Sequence, residues 1–123
     1  MTNAEFKQEL EQRTKRFAIN VLKWLNTLPD SRAINVAVYQ LAKSGTSIGA
    51  NYREANRAES KADFAHKIGI VEKEANETVY WLEVLLESRL LSDAHTPDGE
   101  PLHAEAVELL KLFSSISRSS CSR

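Results

Sequence analysis

The chain has 123 residues, 42% apolar and 27% charged, with a net charge of −1. That suits one globular domain with its own core. A single cysteine excludes a disulfide within the chain, and only four Gly and three Pro argue against a fold of many short strands and tight turns. No apolar run approaches the roughly 18 residues of a membrane span. No signal-peptide core follows Met1, so a reducing cytoplasm is the expected setting. The charge is split: residues 1–57 carry a balance of +4 and residues 58–123 a balance of −5.

The spacing of Phe6, Leu10, Thr14, Phe17, Val21, Leu25 and Leu28 at three or four residues predicts a first helix over about 3–28. Asn3 is the expected N-cap, and Pro29 the stop. A second helix is predicted over 32–57, capped by Asp30 or Ser31, with Ile34, Val38, Leu41, Gly45, Ile48, Tyr52 and Ala55 on its core face. Ser44 to Asn51 is a run of poor helix formers, but the period continues in phase across it, which predicts helix. Small side chains there let a neighbouring helix approach closely.

A third helix is predicted over 61–91, with Ser60 as cap and Asp63 in the first turn. Phe64, Ile68, Val71, Ala75, Thr78, Leu82, Leu85 and Arg89 mark one stripe, and Ile70, Tyr80, Trp81 and Val84 lie beside it. Thr96-Pro97-Asp98-Gly99 reads as a turn within a linker over 92–101. A fourth helix over 102–117 follows, then a Ser-rich tail over 118–123 expected to fray. Short connections make consecutive helices antiparallel neighbours, so the expected fold is all-α, an up-down-up-down four-helix bundle in one domain. If the turn between helices 2 and 3 centres near Ala58, Gly49 faces the region of Gly69. Gly45, Ser47, Gly49 and Gly69 are then the expected helix-packing seam.

No residue set points to catalysis. Asp63 to His66 and Glu100 to His103 resemble halves of a di-metal site, but they open antiparallel helices roughly 40 Å apart. Cys121 has no neighbouring base, and Gly45–Gly49 lacks the ending of a phosphate loop. The expectation is therefore no catalytic residue, no metal, no cofactor and no small-molecule substrate. His66 is expected to pair with Asn51. The polar stripe Ser44, Ser47, Asn51 and Glu54 is either a solvated face or a satisfied network.

An apolar strip outside the core stripe argues for a partner surface. Ile70, Trp81 and Val84 are candidates for a subunit interface, with Trp24 as a further one. Arg13, Lys15, Arg16, Lys23, Arg53 and Arg57 are candidate phosphate contacts.

The run Gly45-Thr46-Ser47-Ile48-Gly49-Ala50-Asn51-Tyr52-Arg53-Glu54-Ala55 resembles the signature of the bacterial four helix bundle protein family, whose best-known relatives are encoded in intervening sequences of large-subunit ribosomal RNA genes. Ser60 to Phe64 and Glu74 to Leu82 continue the resemblance. It implies a four-helix bundle and a homopentameric ring. The chain is also similar to an accessory protein of diversity-generating retroelements, which implies contact with nucleic acid and a reverse transcriptase. The family has no established catalytic residues, so the resemblance makes Ser47, Asn51, Glu54, Glu77 and Trp81 candidates for fold or assembly. Lys43 stands where many members have Arg, which weakens any bidentate phosphate or carboxylate contact there. The expected function is a non-catalytic oligomeric interaction protein that contacts nucleic acid or a partner that processes it. The alternative is a purely structural assembly or protein-binding module.

Overall fold

Each of the first three helices opens at a side chain that takes the place of a missing backbone partner. In the computed structural model, which describes residues 1–121, Thr2 rather than Asn3 caps the first helix. Its hydroxyl accepts from the Glu5 amide at 3.1 Å while the Glu5 carboxylate reaches back to the Thr2 amide, a reciprocal capping box. The helix, α1, spans Asn3–Leu25 and ends before the predicted limit. Helix α2 spans Arg32–Ala55 and opens on Ser31, whose hydroxyl accepts from the Ile34 amide. Helix α3 spans Lys61–Glu87 behind Ser60, which accepts from the Asp63 amide at 3.0 Å.

Helix α3 stops earlier than the expected residue 91 because Arg89 takes a left-handed conformation, with φ 63°. That backbone ends a helix by turning the chain away from it.

The largest correction concerns α4, which spans Thr96–Cys121. The supposed turn Thr96-Pro97-Asp98-Gly99 is its first turn. Pro97 sits where a backbone N–H has no helical partner, and its fixed φ suits the helix. Asp98 lies where the helix dipole favours negative charge. Pro101 falls inside the helix, where its missing N–H leaves the Pro97 carbonyl without its helical donor. The Ser-rich segment expected to fray is helical through Cys121, and residues 122–123 lie outside the described part of the chain.

The four helices form an all-α bundle without strands among the described residues. Contacts join α1 to α2, α2 to α3, α3 to α4 and α4 to α1, while the backbones of α1 and α3 sit diagonally and do not approach closely. The core stripes converge inside: Phe17, Val21, Leu41, Ile48, Val71, Leu82 and Leu109 are at most 2% exposed. Tyr52 and Phe113 meet edge to face at 5.2 Å between ring centres. No described helix is long and apolar enough to cross a membrane.

Candidate interaction surfaces

The small residues of α2 do form a seam, but against α1. A Cβ added to Gly45 would lie 3.3 Å from Val21 Cγ1. One added to Gly49 would lie 3.1 Å from Thr14 Oγ1 and 3.3 Å from the Thr14 carbonyl carbon. One added to Gly69 would meet nothing within 4 Å. The expected contact of Gly49 with Gly69 is therefore corrected. Gly45 and Gly49, four residues apart, lie on the flank of α2 that faces α1.

The polar stripe on α2 is neither one network nor one solvated face. Ser47 Oγ donates to the Lys43 carbonyl at 2.6 Å, and Asn51 Nδ2 donates to the Ser47 carbonyl at 2.8 Å. Both are bonds within the helix. Glu54 is exposed, and His66 is exposed rather than paired with Asn51. Ser44 is 1% exposed, and its hydroxyl has no partner among the described residues. Leaving a buried hydroxyl without a partner costs about 1–3 kcal/mol. Ser44→Ala is therefore expected to raise stability by about 1 kcal/mol, read as a higher urea midpoint at unchanged slope. A drop in the midpoint contradicts the assignment of an unpaired hydroxyl.

The candidate phosphate contacts divide by what they already touch. Arg13 reaches across to α4 and binds Glu105 at both ends of its fork, Nε to Oε2 at 2.7 Å and Nη2 to Oε1 at 2.8 Å. That hydrogen-bonded pair holds the guanidinium above its ordinary pKa and commits Arg13 to the α1–α4 joint. Arg53, itself exposed, stands 3.8 Å from the half-buried Glu11. Lys15, Arg16, Lys23 and Arg57 are exposed and make no salt bridge among the described residues.

The interface candidates divide as well. Trp24 is 4% exposed and belongs to the core. Its Nε1 donates to the His95 carbonyl at 2.9 Å, and its ring lies over Gly99 at the start of α4. Ile70, Trp81 and Val84 remain half-buried. Trp81 Nε1 donates to Glu77 at 3.3 Å, and its ring packs edge-on against Tyr80 at 5.0 Å. Tyr80 itself is 55% exposed.

Sequence reasoning passed over the most exposed large apolar side chains within the helices, Val36 and Tyr39 on α2 at 60% and 65%. It also missed Ile19 and Leu22 on α1, at 43% and 49%. The available signal was their spacing of three residues in each case, off the core stripe. The half-buried Glu74 carboxyl is pushed above the usual range by burial first and by Glu77 second, with Lys43 opposing. His103 Nε2 lies 3.0 Å from Glu83 Oε2 across α3 and α4, a pair the sequence did not reveal. Among the described residues, no three His, Cys, Asp or Glu side chains converge to hold a metal. Cys121 is exposed.

A family model described as 23S rRNA-intervening sequence protein matches residues 7–115. The chain belongs to that family. Within the solved structures, a protein of unknown function from the S23 ribosomal protein family of Bacteroides thetaiotaomicron is 35% identical to this chain. The similarity covers 88% of this chain and 97% of the other, with a TM-score of 0.73. No curated protein matches the chain. Neither description gives a catalytic activity.

Proposed function

We propose that this chain is a non-catalytic cytoplasmic interaction protein that works as a homo-oligomer, with five copies as the family resemblance implies. The observation that carries the reading is the outer strip of α3. Tyr80 is more than half exposed, directly beside Trp81 and Val84, although the core is already filled by the neighbouring stripe. A rigid aromatic pair left at the surface is the kind of group that anchors protein interfaces.

The test is the mass of the purified chain by light scattering at micromolar concentration. A multiple of the chain mass is expected, and a monomer there and at a hundredfold higher concentration removes the reading. Contact with nucleic acid is a second reading, favoured by one observation: no acid occurs between Glu11 and Asp30, while Lys15, Arg16 and Lys23 are exposed in that stretch. Its sign would be a gel shift that weakens steeply with salt. Unchanged mobility on structured RNA at low salt rules it out.

A further inference from the structure

The diagonal helices α1 and α3 carry exposed apolar residues inside brackets of opposite charge. On α1, Lys15 and Lys23 flank Ile19 and Leu22, and all four are exposed. No acid lies between Glu11 and Asp30. On α3, the exposed Glu77 and Glu87 flank Tyr80, with Trp81 and Val84 half-buried beside it. No base lies between Lys73 and Arg89. At 1.5 Å per residue, the lysines are about 12 Å apart along their helix and the glutamates about 15 Å along theirs. The two strips therefore match in length, apolar centre and charge sign.

Resting on the self-assembly reading above, we propose that copies of this chain associate head to tail, the Lys15–Lys23 face of α1 on one copy covering the Glu77–Glu87 face of α3 on the next. Scattered exposed apolar residues alone would not argue this, since they are normal on a monomer. The charge pattern does. A two-fold pairing would set α1 on α1 or α3 on α3, bringing like charges together. Only the unlike pairing puts lysines beside glutamates while burying Leu22 and Ile19 against Tyr80. Exposed ion pairs add little affinity each, so the apolar centre supplies the attraction and the charges select the partner face. Because α1 and α3 sit at diagonal corners of the bundle, both faces of one copy can be engaged at once, and the series of copies stays open unless the rotation between them closes a ring.

Charge reversal tests the arrangement on the full chain by light scattering. Lys15→Glu with Lys23→Glu, and separately Glu77→Lys with Glu87→Lys, should each weaken association about tenfold or more at low salt. The four substitutions together restore opposite signs and should restore assembly, which also shows that the reversals did not unfold the chain. An equal mixture of the two pair variants should associate as alternating copies, with an odd-numbered ring left open at one like-charged contact. If the wild type assembles and the lysine reversal assembles equally, the proposed face is overturned while self-assembly stands. Failure of the fourfold variant to recover overturns the charge pairing. A wild type that stays monomeric overturns both readings.

Discussion

Gly99→Ala is expected to destabilise the bundle by about 1–2 kcal/mol, although alanine is the better helix former. The added Cβ would lie 2.5 Å from Trp24 Cζ2 and 2.9 Å from Leu86 Cδ2. Those separations are far inside van der Waals contact, so something must move. The indole cannot easily retreat, because Trp24 is 4% exposed and its Nε1 is tied to the His95 carbonyl. Overpacking of this kind costs about 1–3 kcal/mol, of which up to about 1 is offset by the gain in helix propensity.

Trp24→Phe alone is expected to cost about 2 kcal/mol, from a cavity and an unmade bond to the carbonyl. The double variant should lose less than the sum, because the smaller ring vacates the space the new methyl needs. Denaturant unfolding of the wild type, both single variants and the double gives the coupling directly. Strict additivity would sink the idea that Gly99 is small to admit Trp24.

The same pair of residues shows why part of the fold was hidden. Pro, Asp and Gly are shared by turns and by helix starts, so Thr96 to Gly99 reads equally well as either. Reading it as a turn removed the first turn of α4, and with it the surface that buries Trp24. An orphaned tryptophan then looked like an interface residue. Periodicity did expose the core stripes of all four helices, because burial on one face imposes a 3.6-residue period on the sequence itself. It also placed Trp81 and Val84, both half-buried, off the fully buried stripe of α3. It could not say which flank of α2 meets which neighbour, since that depends on the hand of the bundle rather than on any residue. The bidentate pair of Arg13 with Glu105 escaped notice for the same reason: 92 residues separate them, and a helix face carries no mark of its partner.

That ambiguity about flanks gives opposite signs for two substitutions that look alike in the sequence. Gly49→Ala is expected to destabilise by about 1–2 kcal/mol, and Gly69→Ala to stabilise by up to about 1 kcal/mol. Both glycines lie inside helices, where alanine is worth up to about 1 kcal/mol more than glycine when space is free. At Gly69 the space is free, with nothing within 4 Å of the new methyl. At Gly49 the methyl meets Thr14 at 3.1 Å from Oγ1 and 3.3 Å from its carbonyl carbon.

The second of those atoms belongs to the backbone of α1, so a side-chain rotation cannot relieve the contact. Nor can Thr14 give way freely, for it is fully buried and its hydroxyl bonds the Leu10 carbonyl at 2.9 Å. Relief therefore requires α1 to move away from α2 as a unit, loosening the packing around Phe17 and Val21. At about 4 °C per kcal/mol for a chain of this size, the two variants should melt on opposite sides of the wild type. A Gly49→Ala variant that melts above the wild type would show that α1 does not approach α2 closely at Thr14, and a Gly69→Ala variant that melts below it would return the seam to α3.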